Sequence, residues 1–257
     1  MRVRAWCDSR IGGREKNEDC YGIADDLGLF VVADGMGGYV GGEVASRLAV
    51  RTIDDCFHEL ADGVGPSAWE RMDLAFRQAN EEVRCARIDD LEEMGSTLSA
   101  LVIGEREAVI GHLGDSRVYL LRRGELRRIT SDHTVVESLK AAGVTSAGIH
   151  SAFSHMITKA IGVNQETEAD LHCIEIEAGD RFLLCTDGLT DVVDDEVIAE
   201  ILASGPAWAA CRELTEEALR RGAADNVTAL VVEVKAEGHD SLTPRSSNDP
   251  AHSAPIA

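Results

Sequence analysis

The sequence has no run of 18 consecutive apolar residues, and its first ten residues, MRVRAWCDSR, contain no long apolar segment. This absence argues against a membrane-spanning helix and against a secretory signal at this end of the chain. The seven cysteines form no C-x-x-C pair, and several of them lie inside apolar runs. Buried thiols in a reducing compartment explain them better than a disulfide framework or a zinc site does. We therefore expect a cytoplasmic protein.

Basic residues are also scarce. Lys and Arg number 25 against 46 Asp and Glu, which gives a net charge of −21. A field of this sign repels nucleic acid and anionic membranes, so neither is an expected partner. It favours basic partners or bound divalent cations, while many of the acids simply keep the surface solvated. The length of 257 residues and the hydrophobic content of 44% suit one domain with a full core.

Hydrophobic periodicity divides the chain into strands and helices. Strands are predicted at 27–33, 97–103, 108–113, 117–121, 171–176, 181–185 and 227–234, with a hairpin turn at 122–125. Helices are predicted at about 44–57, 67–87, 194–203 and 207–221, with a short one at about 134–141. The second helix opens on a capping box, Ser67 and Glu70, and the fourth closes at Gly222. Strands and helices are segregated along the chain, which predicts an α+β fold.

The last part of the sequence has a different composition. Residues 236–257 are rich in Ser, Pro, Asp and His and show no periodicity. Such a segment cannot bury enough apolar surface to fold on its own. We expect a disordered tail at 236–257 that follows a single domain at 1–235.

Acidic residues recur where predicted strands begin or end; they are Glu18, Asp19, Asp34, Asp115, Asp187, Asp191 and Asp225. None of them has an obvious Lys or Arg partner in the sequence. If the strands share sheets, these carboxylates converge on one edge and repel one another unless cations lie between them. Oxygen donors without a nearby His or Cys suit magnesium or manganese better than zinc. The alternative for each Asp next to a Gly is an ordinary turn.

Two features near these acids could assist a metal site. Glycines crowd the stretch after Asp34, at positions 35, 37, 38, 41 and 42, and would let a backbone carbonyl and water reach a metal. Arg10, Arg14 and Lys16 precede Glu18. A guanidinium beside a metal pair could grip a phosphate through two hydrogen bonds. The alternative for the basic residues is a solvated turn.

Seven stretches, taken together and in order, resemble motifs of the metal-dependent serine/threonine protein phosphatases (type 2C, PPM) in their compact bacterial form. They are DSRIGGREKNED, VVADGMGGYVGGEVAS, GSTLSALVI, HLGDSRVYLLRRGELRRITSDHT, ITKAIG, FLLCTDGLTD and ADNVTALVV. The resemblance covers about residues 3–235. It implies a four-layer αββα sandwich, in which two central antiparallel β-sheets are flanked by helices.

The resemblance also implies a binuclear centre that holds two manganese or magnesium ions. Asp34 would bridge the two ions, and the Gly35 carbonyl would complete the coordination of one of them. Asp187 and Asp225 would hold the other ion.

Further acids match more peripheral positions of the family's centre. Glu18 and Asp19 would act largely through metal-bound waters. Asp115, with Asp187 or Asp191, matches a third metal site of weaker affinity.

The resemblance has one match and two departures that bear on catalysis. Arg14 falls where the family's phosphate-binding arginine lies. Met36 stands where many eukaryotic members have a histidine, and Met cannot donate a proton to the leaving group. A metal-bound water is then the expected donor. The flap segment, 135–156, has little basic character, so substrate specificity does not transfer from the family.

The activity that the resemblance implies is hydrolysis of phosphoserine and phosphothreonine in proteins, by direct attack of a hydroxide that bridges the two metals. The expected partners are phosphorylated proteins that a cognate serine/threonine kinase produces, and we expect a monomer. Two alternatives remain open at this point. One is a non-catalytic binding module with the same fold, and the other is an enzyme for small phosphorylated metabolites.

Overall fold

The computed structural model describes residues 1–37, 41–60, 65–144 and 156–236. The tail predicted at 236–257 lies outside this part of the chain except for its first residue, and the prediction of a tail stays a prediction. In the described ranges, no helix combines the length and the apolar character that crossing a membrane requires.

The described residues form eleven strands and six α-helices. The strands are β1 Arg2–Arg10, β2 Asp19–Ala24, β3 Leu29–Met36, β4 Gly95–Ser96, β5 Leu98–Ile103, β6 Glu107–Leu113, β7 Arg117–Arg122, β8 Glu125–Arg128, β9 Asp170–Glu175, β10 Arg181–Cys185 and β11 Val227–Lys235. The helices are α1 Gly41–Glu59, α2 Ala68–Cys85, α3 Val135–Ala141, α4 Asp187–Thr190, α5 Asp195–Ala203 and α6 Ala207–Arg220, with a short 3₁₀ helix at Asp89–Leu91.

The strands build two antiparallel sheets that pack face to face. One sheet has the order β1-β11-β10-β7-β8, and the other has the order β2-β3-β5-β6-β9, with β4 paired to β3. Helices α1 and α2 cover the outer face of the second sheet, and α5 and α6 cover the outer face of the first. This arrangement confirms the predicted αββα sandwich.

Burial on both faces explains why the strands read as continuous apolar runs. In β3, Phe30 and Val32 point into the core between the two sheets, whereas Leu29, Val31 and Ala33 pack against the helices. All five side chains are at most 1% exposed. Neither face of the strand meets water, so the sequence shows no polar alternation.

Most predicted elements are confirmed, with shifts of a few residues at their ends. The capping box is present, since Ser67 Oγ accepts from the Glu70 amide and the Glu70 carboxylate accepts from the Ser67 amide. The turn between β7 and β8 is a two-residue hairpin in which Arg123 and Gly124 both have positive φ. The sequence pattern did not indicate β1, because it is an edge strand in which charged residues interrupt the apolar ones.

Candidate metal centre

Two strands of the second sheet place their carboxylates directly opposite each other. In the antiparallel ladder between β2 and β3, Asp19 is paired with Asp34. Asp34 follows Phe30 and Val32 on the same side of β3, so both carboxylates face the space between the sheets. Side chains in such a pair have Cβ atoms only about 5 Å apart, and like charges in this position are destabilising.

The remaining acids come to the same end of the sandwich. Asp115 lies in the turn between β6 and β7, Asp187 is the first residue of α4 directly after β10, and Asp225 lies two residues before β11. A cleft of about 660 Å³ opens there. The described residues that line it are Arg14, Glu18, Asp34, Gly35, Met36, Gly37, Thr97, Asp115, Met156, Ile157, Asp187 and Asp225. Asp19 lies behind this lining, and Asp191 is exposed outside it.

The structure therefore brings together most of the site residues that the sequence predicted. Asp191 is the exception among the acids, although its charge still raises the pKa of Asp115. Arg14 stands at the rim of the cleft and pairs with Asp225, with 2.5 Å between Nη2 and Oδ2. The sequence shows no basic neighbour for these acids, and this partner is found only in the fold, because the two residues are 211 positions apart in the chain.

The electric environment disfavours negative charge on the inner acids. Burial, and then the charges of Asp19, Asp187 and other acids, raise the pKa of Asp34 well above its usual value. Burial raises the pKa of Asp19 to about 7, although two threonine hydroxyls act in the opposite direction. The pKa of Asp115 also rises to about 7, first through burial and then through the charge of Asp187. A bound cation would reverse this balance and favour the ionised carboxylates.

The residues present fit hard divalent cations. Asp19 Oδ2 accepts from Thr228 Oγ1 at 2.6 Å and Thr186 Oγ1 at 2.9 Å, whereas the buried Oδ1 has no hydrogen-bond partner among the described residues. No His or Cys is among the described residues that line the cleft. In the described part of the chain, no three side chains of His, Cys, Asp or Glu lie close enough together to coordinate one ion by themselves. An ion there would keep several waters, as magnesium characteristically does.

Asn226 holds the loop that carries Arg14 and Glu18, a role that the sequence analysis missed. This buried amide accepts from the Glu18 amide at 2.8 Å. It also donates to the carbonyls of Ile11 and Lys16, at 2.8 Å each. The residue stands in the ADN stretch, but only the folded chain shows that it reaches back more than 200 positions.

Hydroxyl groups hold the backbone of Asp34 and were also missed. The Asp34 amide donates to Thr97 Oγ1 at 2.9 Å, and Ser96 Oγ donates to the Asp34 carbonyl at 3.0 Å. Thr97 Oγ1 also lies 2.7 Å from the Oγ of Ser116, the residue that follows Asp115 in the chain. The backbone positions of Asp34 and Asp115 are therefore tied together through two side-chain hydroxyls.

The sequence suggested that the glycines after Asp34 let water and a backbone carbonyl reach a metal. The structure gives a different reason for two of them. A Cβ atom on Gly35 would lie 2.0 Å from the Gly42 carbonyl oxygen, and one on Gly42 would lie 2.8 Å from Glu18 Cδ. These glycines allow the first turn of α1 to pack against the end of β3. Gly38 lies outside the described residues.

Comparison with known proteins gives consistent similarities. The chain matches the family described as "Protein phosphatase 2C" over residues 8–232. It is 39% identical over 225 residues to the serine/threonine protein phosphatase PstP of Mycobacterium tuberculosis, a match that covers 86% of this chain and 43% of PstP. It is 35% identical to the serine/threonine phosphatase stp of Listeria monocytogenes, with 86% of this chain and 91% of that protein covered.

Solved structures show the same similarity in three dimensions. The crystal structure of M. tuberculosis PstP/Ppp superposes with a TM-score of 0.84 and 37% identity, over 92% of this chain and 100% of that one. The PstP catalytic domain in complex with two manganese ions gives a TM-score of 0.81 and 38% identity, over 91% of this chain and 99% of that one.

Proposed function

This chain belongs to the protein phosphatase 2C family, and on that premise we propose that it is a metal-dependent phosphatase acting on phosphoserine and phosphothreonine in proteins. The observation that carries the proposal is the Asp19–Asp34 pair. Asp34 lines an acidic cleft that also contains Arg14, and Asp19 lies opposite Asp34 behind this lining. Such an arrangement is destabilising unless cations occupy it. The chain spans only 43% of the length of PstP, so the activity of the whole protein belongs to the proposal.

We further propose that the cleft holds two manganese or magnesium ions, as in the PstP structure named above. Asp34, the Gly35 carbonyl, Asp187 and Asp225 would bind them directly. The residues assigned to metal-bound water are Glu18 and Asp19, and those assigned to a third, weaker ion are Asp115 and Asp191. When bound, such ions supply a nucleophile at neutral pH, because they lower the pKa of water by several units.

The residues of the chain suggest how the substrate is oriented, and they argue against a side-chain proton donor at position 36 and against a thiol nucleophile. Arg14 would donate to two oxygens of the phosphate, since its guanidinium stands at the rim of the cleft and is half exposed. Met36 also lines the cleft and offers no proton to the leaving group. The two most buried thiols near the sheets, Cys185 and Cys211, have pKa values raised to about 12 by burial, so neither is a ready nucleophile.

Release of phosphate from a phosphothreonine peptide, with manganese present, tests this function. We expect turnover of the peptide and much slower turnover of small phosphorylated metabolites at equal concentration. Preference for a metabolite would favour the second enzyme class, because the metal chemistry alone does not select the substrate. Tight binding of the phosphopeptide without any phosphate release would instead identify a binding module. The kinase that would phosphorylate the substrate proteins and the monomeric state of the chain stay predictions.

Arg14→Ala should lower kcat/KM for the phosphopeptide by about tenfold to a thousandfold, through loss of a charge-assisted clamp on the phosphate. Manganese affinity, measured by calorimetry, should not fall, because the arginine competes with metal for Asp225. Arg10→Ala is the matched control, since Arg10 pairs with Asp8 outside the cleft lining. Weaker manganese binding with unchanged kcat/KM would contradict the role given to Arg14.

A further inference from the structure

His133, which is not among the described residues that line the cleft, binds the turn that carries Asp115. The His133 amide donates to the Gly114 carbonyl at 2.7 Å, and the Gly114 amide donates to His133 Nδ1 at 3.1 Å. One residue therefore satisfies both backbone groups of the glycine that precedes Asp115. The His133 side chain is 10% exposed, so water competes little for these bonds.

The turn is confined on its other side as well. Gly114 has φ +107°, and a Cβ atom there would lie 2.6 Å from Thr97 Cβ. Thr97 in turn bonds the Asp34 amide and the Ser116 hydroxyl. The backbone at Asp115 is thus clamped between Thr97 and His133. If the contact with Thr97 or the contact with His133 were lost, the backbone at Asp115 would be held by the other one alone.

The backbone of His133 also fixes the wall of the cleft. Its carbonyl accepts from the Thr158 amide at 2.7 Å, and the Val135 amide donates to the Met156 carbonyl at 2.9 Å. Met156 and Ile157 line the cleft. The segment that forms this wall and the turn that carries Asp115 are therefore both anchored on one residue.

The surroundings of the imidazole select its neutral form with the proton on Nε2. Nδ1 faces an N–H donor, so it must carry a lone pair. Nε2 lies 3.1 Å from Asp170 Oδ2, at an angle that is poor for a hydrogen bond, and Asp170 Oδ1 lies 3.2 Å from Lys159 Nζ. The ring also stacks on His112, with 4.9 Å between centroids. Burial lowers the pKa of His133, while Asp170 acts in the opposite direction.

We propose that His133 is a positioning residue for the phosphatase reaction, which fixes the place of Asp115 through the Gly114 amide and joins it to the Met156–Ile157 wall of the cleft. The inference rests on the proposed function, because Asp115 acts in it as a site residue. His133 is not among the described residues that line the cleft. Its side chain contributes through one acceptor nitrogen, Nδ1, whereas the link to the wall of the cleft runs through its backbone.

Substitution of His133 by Asn or by Gln tests the roles of its two ring nitrogens separately. His133→Asn places its side-chain oxygen close to the position of Nδ1 and can still accept from Gly114. His133→Gln reaches the position of Nε2 and leaves the Gly114 amide without its acceptor. His58→Gln is the matched control, because His58 is an exposed histidine in the last turn of α1, far in sequence from the turn.

The first measurements use the metal-free protein and do not depend on activity. Nitrogen-15 NMR of the wild type should show His133 protonated at Nε2 and not at Nδ1. The Gly114 amide should exchange with solvent at least about tenfold faster in His133→Gln than in the wild type or in His133→Asn. A proton on Nδ1, or equal exchange in both variants, would overturn the proposal even if the protein had no phosphatase activity.

Kinetics then test the consequence for the reaction. With manganese present, His133→Gln should lose about tenfold to a hundredfold in kcat for a phosphothreonine peptide, as outer-shell partners of a metal site typically do. His133→Asn and His58→Gln should stay close to the wild type, and Asp115→Ala sets the largest loss that misplacing Asp115 can cause. Equal losses in the Asn and Gln variants would show a packing role only. An inactive wild type would refute the proposed function and leave the exchange result to decide the positioning role.

Discussion

Excess EDTA is expected to abolish phosphopeptide hydrolysis by this protein, and added manganese or magnesium is expected to restore it. The physical reason lies in the cleft, where Asp34, Asp115, Asp187 and Asp225 approach one another, and Arg14 is the only cation among the described lining residues. In the proposed reaction the nucleophile is water that the ions would activate, so their removal also removes the nucleophile. Phosphate release from a phosphothreonine peptide, before and after dialysis against the chelator, provides the measurement.

The same ions should stabilise the fold, which gives a second readout independent of turnover. A ligand at a hundred times its dissociation constant adds about 2.7 kcal/mol to the free energy of unfolding. For a chain of this size that corresponds to a rise in melting temperature of about 5–10 °C. Zinc should replace manganese poorly in the activity assay, because the described lining of the cleft offers no imidazole or thiolate ligand. Full turnover in excess EDTA would exclude a metal-dependent mechanism.

Asp34→Asn should reduce kcat by at least about a thousandfold while the protein stays folded. A Lewis-acid metal contributes several kcal/mol to transition-state stabilisation, and each loss of about 1.4 kcal/mol lowers the rate tenfold. Asn keeps the size of the side chain, and the backbone bonds to Thr97 and Ser96 do not involve the carboxylate. The change therefore removes a charge without removing the packing around it.

Thermal melting distinguishes this outcome from simple misfolding. The metal-free variant should melt at or above the temperature of the metal-free wild type, because Asp34 no longer faces Asp19 as a like charge across the ladder. Manganese should raise its melting temperature less than it raises that of the wild type. Asp26→Asn is the control, since this acid is exposed in the turn at the opposite end of β3. Near-normal kcat in Asp34→Asn would show that the carboxylate of Asp34 is not needed for the reaction.

Much of the site was predictable because its signals are local. The acids Asp19, Asp34, Asp115, Asp187 and Asp225 all lie within two residues of the end of an apolar strand. Strand ends lie at the edges of a sheet, so a pattern of this kind already predicts that the acids meet there. Oxygen donors alone, without His or Cys, already favour magnesium or manganese over zinc. Asp191 shows the limit of this reasoning, since it stands four residues after Asp187 but lies outside the lining of the cleft.

The sequence by itself determined the double-sided burial of the strands, the segregated order of helices and strands, and the chemistry of the donor atoms. Only the tertiary structure decided that Asp19 faces Asp34, that Arg14 pairs with Asp225 and that Asn226 holds the Glu18 loop. The last two contacts join residues more than 200 positions apart. Local periodicity carries no information about strand register or about which distant loops meet. Those depend on how the two sheets pack, and the packing free energy is shared among all the side chains of the core.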